Sequence, residues 1–122
     1  MIPAEEMVEK IKAACEARRD PSFVLKARTD AAGPLGIPEA IRRLNLYAEA
    51  GADLLFADAV LAADDIGTLA RNIPKPLAVN MGFGIRRRAT TPLLSARQLQ
   101  ELGVALVEYP RMLTSAALRG MM

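Results

Sequence analysis

The sequence has 122 residues, of which 52% are hydrophobic and 25% are charged, values typical of one globular domain. Sixteen Lys and Arg residues and fourteen Asp and Glu residues give a formal net charge of +2, too small to indicate a nucleic acid or a membrane surface as a partner. Histidine is absent, which removes the commonest zinc ligand and the commonest general base near neutral pH. Any catalysis must therefore use carboxylates, Arg, Lys, Tyr or a metal ion.

The single cysteine, Cys15, excludes an internal disulfide framework and favours a reducing, cytoplasmic location. The first ten residues lack the basic and then apolar pattern of a leader peptide. No segment approaches the run of about 18 apolar residues that a transmembrane helix needs. We expect a cytoplasmic protein in which Cys15 lies on the buried face of a helix and is inert.

The first half of the chain is predicted to contain two helices and two strands. Apolar residues spaced three and four apart predict an amphipathic helix at 7–17, and an apolar run predicts a strand at 23–27. A second helix is predicted to begin near Pro38, which suits a first turn, and to stop at Gly51. Tyr47 is expected to pack under the sheet. A second strand is predicted at 53–57.

The second half repeats this alternation. A third helix is predicted over Ala63–Arg71, and a third strand at 77–80. Ser95 is a good cap for a fourth helix, after which comes a strand at 104–108. A last helix begins after Pro110.

Alternating helices and strands are typical of β/α units in a parallel sheet, and units this short favour a β/α barrel. A closed barrel needs eight strands and about 250 residues. We therefore predict one partial (β/α)8 TIM barrel domain over residues 1–122, with about four parallel strands. A half barrel leaves two unpaired edges and an uncovered inner face, so we expect a homo-oligomer or a fragment of a longer protein. A chain that begins on a helix favours the fragment.

Polar side chains stand at the ends of the four predicted strands, namely Arg28, Asp58, Asn80 and Glu108. Active sites of β/α barrels lie at the carboxyl ends of the strands, so we expect these side chains to cluster. An arginine at the exit of a buried strand is costly unless it binds something, and its forked donors suit a carboxylate. The alternative is that Arg28 forms a structural ion pair with Asp30 or Asp58.

The other candidates carry alternatives of their own. Asp58 is either a carboxylate of the site or an acid at a helix start, and Asn80 either faces the site or caps its own loop. In the segment 82–88, Gly82 lets backbone amides approach an anion and Arg86 can bind phosphate or carboxylate oxygens. The alternative for this segment is a solvated loop with exposed arginines. Nucleic-acid binding through Arg86 to Arg88 is poorly supported, because the charge is nearly balanced and stacking aromatic residues are lacking.

At these residues the chain resembles the isocitrate lyase and phosphoenolpyruvate mutase superfamily. The matching segments follow the order of that family and cover most of the chain. They are 6–14, 27–31, 40–43, 47–53, Asn80, 91–93 and 109–110. Each segment is weak evidence alone, but the combination is specific.

The resemblance implies a β/α barrel enzyme that uses Mg2+ to stabilise an enolate while a C–C or P–C bond breaks or forms. Its substrate would be a small 2-oxo or 2-hydroxy carboxylic acid or a phosphonate. It also implies that Arg28 grips the substrate carboxylate, that Asp58 is the catalytic group at a position where many members carry glutamate, and that Asn80 is the family's asparagine. Gly82 and Arg86 are expected to bind substrate on the chemistry of their segment, which looks like a substrate-facing loop.

The departures from the family matter as well. The metal-binding aspartates and the Lys-Lys-Cys-Gly-His-type gating loop of the family belong to earlier strands, so the direct ligands of Mg2+ are not expected in this chain. The glycine and arginine loop and Ser115 favour a carboxyphosphonate-type phosphonomutase or a dimethylmalate-type lyase over a methylisocitrate lyase. The alternative function is a catalytically inactive half barrel that acts only by association.

Overall fold

Four short strands pair in parallel, in the same order as they occur along the chain. The structure is a computed structural model that describes residues 1–82 and 91–122. The strands are β1 (Lys26–Thr29), β2 (Leu54–Ala57), β3 (Leu77–Asn80) and β4 (Val104–Glu108). The helices are α1 (Ala4–Ala17), α2 (Ala32–Leu35), α3 (Ile37–Glu49), α4 (Ala63–Arg71), α5 (Ala96–Glu101) and α6 (Met112–Met121). The predicted alternation of parallel strands and helices is thus confirmed.

The prediction for the first strand is wrong by several residues. A strand was expected at 23–27, but β1 begins at Lys26. Before it the chain turns, because the Phe23 amide donates to the Asp20 carbonyl at 3.1 Å, and the Phe23 side chain is 62% exposed. Arg28 consequently lies inside β1 and not after it. The third and fourth strands have the predicted bounds, and β2 begins one residue late.

The two faces of the sheet have different partners, because successive side chains on a strand point to opposite sides. One face packs against the helices in a single apolar core. Its strand residues are Ala27, Leu55, Ala57, Leu77 and Val79, and its helix residues include Leu44, Tyr47, Ile66, Leu69 and Leu99. We call the opposite face the inner face. It carries Lys26, Arg28, Leu54, Phe56, Ala78, Asn80, Leu106 and Glu108. The polar side chains predicted to form a site therefore share one face.

The helices follow the sequence signals closely. Ser95 caps α5 with a capping box, in which its side chain accepts from the Gln98 amide. Tyr47 is buried in the core as predicted. Cys15 is only half-buried, and its Sγ donates to the Gly51 carbonyl at 3.4 Å. The short helix α2 was not predicted, since Gly33 and Pro34 disfavour a helix. None of the helices in the described ranges has the length and apolar character needed to cross a bilayer.

Asp53 connects three parts of the chain just before β2. Its Oδ2 accepts from the Leu25 amide at 2.9 Å and from Arg18 Nη1 at 2.6 Å. The Leu25 amide holds the pKa of the Asp53 carboxyl below its ordinary value of 3.8, and the Arg18 charge lowers this pKa further. The ionised form therefore secures the start of β1 against β2 and the end of α1.

We predict that Asp53→Asn lowers the free energy of unfolding by about 1 kcal/mol at pH 7, because a charged acceptor is replaced at a partly exposed position. The folded-state pKa is depressed, so this stabilisation is complete above the ordinary pKa of 3.8 and is lost as the pH falls through the lower folded value. Urea denaturation at pH 7 and in acid measures both effects. Glu49→Gln, an exposed carboxylate at the end of α3, is the control. A difference of equal size at both pH values would contradict the prediction.

Candidate functional site at the carboxyl ends of the strands

Arg28 lies near the carboxyl end of β1, and its guanidinium is held by Asp30, the residue just after that strand. Its Nε donates to Asp30 Oδ1 at 2.6 Å, and its Nη2 donates to Asp30 Oδ2 at 3.0 Å. This two-point contact fixes the plane of the guanidinium. It also raises the pKa of Arg28 and lowers the pKa of Asp30. Arg28 is therefore a cation of fixed orientation.

Asp58, one residue beyond β2, bridges the two neighbouring strands. Its Oδ2 accepts from Arg28 Nη2 at 2.5 Å, and its Oδ1 accepts from Asn80 Nδ2 at 2.6 Å. The Asp58 amide donates to the Thr29 carbonyl at 3.0 Å, which fixes the backbone beside β1. The Asp58 side chain is 22% exposed. Two donors from β1 and β3 thus converge on one largely buried carboxylate.

The ring of Phe56 packs beneath the side chains of Lys26 and Arg28. Phe56 lies two residues before Asp58 on the inner face and is 4% exposed. The Lys26 Nζ and the Arg28 Cζ are each 5.2 Å from the centroid of its ring. Cations at this distance over an aromatic face are attracted to its quadrupole. Phe56 therefore supports both cations of β1 from below.

An ion pair joins the two outermost strands of the described sheet. Lys26 Nζ on β1 contacts Glu108 Oε1 on β4. In a flat sheet these strands would be three spacings of about 4.8 Å apart, and side chains would stand perpendicular to the sheet. A direct contact over β2 and β3 therefore requires the inner face to be concave. That curvature is the shape of a barrel interior.

The residue after Asp58 has a strained backbone. Ala59 has a φ of 56°, in the left-handed region, and it is the one non-glycine residue of the described ranges with a positive φ. The conformation costs a residue with a Cβ about 1 kcal/mol or more. It turns the chain away from β2 immediately after the carboxylate has been placed.

The structure brings the predicted strand-end residues together. Arg28 forms both of the ion pairs considered for it, with Asp30 and with Asp58. The helix-start alternative for Asp58 is wrong, because α4 begins only at Ala63. For Asn80, the contact within the described residues is with the site, since its Nδ2 donates to Asp58 Oδ1.

The structure gives little support for the two remaining candidates, Gly82 and Arg86. Among the described residues, no atom lies within 4 Å of the position that a Cβ would take at Gly82, so no close approach to them requires glycine there. Arg86 lies outside the described residues. Lys26 and Phe56 belong to the cluster as well, although neither is among the residues predicted for the site. Side chains two residues apart on a strand share a face, so Lys26, two residues before Arg28, and Phe56, two residues before Asp58, could have been predicted from the sequence.

The carboxylates of this cluster are all engaged by cations. Asp30 and Asp58 pair with Arg28, and Glu108 pairs with Lys26. Across residues 1–82 and 91–122, no three His, Cys, Asp or Glu side chains are grouped so as to hold a metal ion. The described residues therefore do not supply a ligand set for Mg2+.

Comparison with known proteins places this geometry in a family. The profile of the phosphoenolpyruvate phosphomutase family matches residues 1–122. The chain belongs to this family. A 2-methylisocitrate lyase of Shewanella oneidensis is 39% identical over 111 residues, which are 90% of this chain and 36% of that protein. The chain spans about a third of the length of the curated relatives it matches.

Solved structures of the phosphoenolpyruvate mutase and isocitrate lyase superfamily share the fold. The crystal structure of a 2,3-dimethylmalate lyase of this superfamily is 27% identical with a TM-score of 0.87, covering 99% of this chain and 42% of that one. The crystal structure of a phosphonopyruvate hydrolase is 31% identical with a TM-score of 0.79, covering 99% and 42%. The described residues therefore form part of a β/α barrel of this superfamily, as the resemblance implied.

We predict that Lys26 and Glu108 are coupled by about 0.5–1 kcal/mol in a double-mutant cycle of unfolding free energies, because both side chains are about one-third exposed. The variants are Lys26→Met, Glu108→Gln and the double variant, and added salt should reduce the coupling. The pair Lys10 and Glu6 on the surface of α1 is the control for a local ion pair. Zero coupling at low salt would contradict the concave inner face.

Proposed function

We propose that this chain carries part of the active site of an enolate-forming lyase or phosphonomutase that acts on a small 2-oxo or 2-hydroxy carboxylic acid or a phosphonate. One observation carries the proposal: donors from two strands, Arg28 Nη2 and Asn80 Nδ2, converge on a single carboxylate at the strand ends. Strand ends are where barrel enzymes hold substrate. The family match supports the same reaction classes.

In this proposal Arg28 binds the carboxylate of the substrate, with Asp30 fixing the plane of the guanidinium. Asn80 supplies a neutral donor beside it. Gly82 and Arg86 are further candidates for substrate binding, proposed from the chemistry of the segment 82–88, and Arg86 lies outside the described residues. Asp58 is the candidate for proton transfer, because it is the carboxylate positioned between β1 and β3.

For a lyase, the C–C bond breaks between the carbon that carries the hydroxyl and the carbon next to the carboxylate. The bonding electrons remain on the second carbon as an enolate, and the hydroxyl proton passes to a base such as Asp58 as the carbonyl forms. A neighbouring cation stabilises the developing enolate charge. Among the described residues, Arg28 supplies such a cation, because it would lie beside the substrate carboxylate onto which the enolate charge spreads.

Two expectations stay predictions. Mg2+ is implied by the resemblance, and its ligands would come from outside the described residues. The reducing, cytoplasmic location rests on the single cysteine.

Turnover by the complete enzyme that contains this chain tests the proposal against the inactive alternative. We expect release of pyruvate or a carbonyl product from at least one of 2-methylisocitrate, 2,3-dimethylmalate, oxaloacetate and phosphonopyruvate when Mg2+ is present. Addition of a chelator should abolish it. If a folded sample turns over none of the four compounds, the proposal is wrong and the alternative function holds, namely an inactive half barrel that acts only by association.

We predict that Arg28→Ala in the complete enzyme lowers kcat/KM by a factor equivalent to about 2–5 kcal/mol, because the substrate carboxylate loses its charged partner. Arg28→Lys should recover only part of the loss, since lysine lacks the two-point geometry. Arg42→Ala, which removes an arginine paired with Glu39 on the surface of α3, is the matched control. Unchanged kcat/KM in Arg28→Ala would refute the role.

We also propose that the chain associates with a second copy. Within the described sheet, β1 and β4 each have one neighbouring strand. Helix α6 has no buried residue, and Leu113 on it is 79% exposed. Apolar surface of this kind is typical of an interface.

We predict that the 122-residue chain sediments as a dimer or larger species, with at least twice its monomer mass of 13.1 kDa. Leu113→Glu should shift the distribution towards the monomer, because a charge would be placed in the apolar contact of α6. Arg119→Glu on the same helix is the control for the change of charge. A species of 13.1 kDa at micromolar concentration would contradict the proposal.

A further inference from the structure

The carboxylate of Asp58 already occupies the position that the proposed function gives to a ligand. Arg28 Nη2 and Asn80 Nδ2 lie 2.5 Å and 2.6 Å from its two oxygens, so each oxygen has its own donor on a different strand. A free carboxylate bound between a guanidinium and an amide would have the same two contacts. The donors are the ones that would bind substrate, and a side chain of the protein is using them.

Resting on the proposed function, we infer that Asp58 is a built-in competitor for the carboxylate subsite, which an incoming carboxylate must displace from Arg28 and Asn80. Asp30 and Asp58 already bind the Arg28 guanidinium. A ligand carboxylate placed beside them would be repelled by both and would not reach the N–H groups that they occupy. A ligand carboxylate that takes the donors Arg28 Nη2 and Asn80 Nδ2 therefore cannot bind while Asp58 keeps them.

When a ligand binds, Asp58 is the carboxylate that is displaced from Arg28, and Asp30 keeps its contact with Arg28. Asp30 makes two hydrogen bonds to Arg28 and lies only two residues away on the same chain segment, so its contact is local. Asp58 makes one hydrogen bond to Arg28 and reaches it from the loop after β2. A strained residue, Ala59 with a φ of 56°, follows directly, so movement of this loop can relieve strain.

The displacement gives Asp58 a second use. A carboxylate that has been pushed off Arg28 and Asn80 remains tethered next to the ligand that replaced it. It has then lost both of its hydrogen-bond donors, so its oxygens are free to contact a proton of the ligand. The same group thus excludes weakly bound anions and, once displaced, becomes available as a base. Ligands with two negatively charged oxygen groups should compete best, because they gain a second contact while displacing Asp58.

Oxalate binding by isothermal titration calorimetry tests this inference in the full chain. Asp58→Asn and Asp58→Ala should bind oxalate at least about tenfold more tightly than the wild type, because removing the charged competitor frees the donors of Arg28 and Asn80. Asp64→Asn, in the first turn of α4, removes the same charge away from the cluster and should change the affinity by less than about twofold. Circular dichroism establishes that each variant is folded, and the isosteric Asn variant decides if the Ala variant does not fold.

The outcomes separate this inference from the proposed function. If Asp58 variants gain affinity and the gain vanishes when Arg28→Ala is added, the inference holds. If Asp58 variants bind oxalate no better than the wild type, while wild-type binding is lost in Arg28→Ala, the competitor role is overturned and the carboxylate subsite stands. If oxalate binding does not depend on Arg28, or no folded variant binds oxalate, both are overturned.

Discussion

Parallel pairing in chain order is the constraint on which the candidate site depends. It places the carboxyl ends of β1 to β4 at one edge of the sheet, and the alternation of side chains then selects one residue in two for the inner face. Arg28 on β1, Asp58 after β2 and Asn80 on β3 satisfy both conditions at once. A shift of one residue in the register of any of these strands would send its polar side chain into the apolar core.

The cluster that results is electrostatically close to balanced. Within the described residues it contains the cations of Lys26 and Arg28 and the carboxylates of Asp30, Asp58 and Glu108. An arginine between two carboxylates attracts an anionic ligand less strongly than a free arginine would. Its value for recognition lies in orientation, since Asp30 and the ring of Phe56 fix the guanidinium before any ligand arrives.

The sequence allowed most of the fold to be predicted, because its helices and strands are marked by local signals such as the Ser95 cap. The start of β1 was missed because Phe23 is apolar, and a turn held by the Asp20 carbonyl keeps it out of the sheet. The convergence of Arg28, Asp58 and Asn80 was predictable from strand-end positions alone. The contact between Lys26 and Glu108 was not, since it depends on the curvature of the whole sheet, which no local pattern encodes.

That same contact bears on how the cluster behaves in a longer barrel. Lys26 and Glu108 are 36% and 34% exposed on the inner face, so water screens their attraction. In a closed barrel the inner face is filled by side chains from all strands, and the local dielectric is lower. The pair would then interact more strongly, and losing either partner would leave an unpaired charge in the interior. The contribution of Lys26 to stability is therefore larger in a complete barrel than in the described half. Asp53 lies on the helix side of the fold, and its contacts with Arg18 and Leu25 stabilise the described part of the chain.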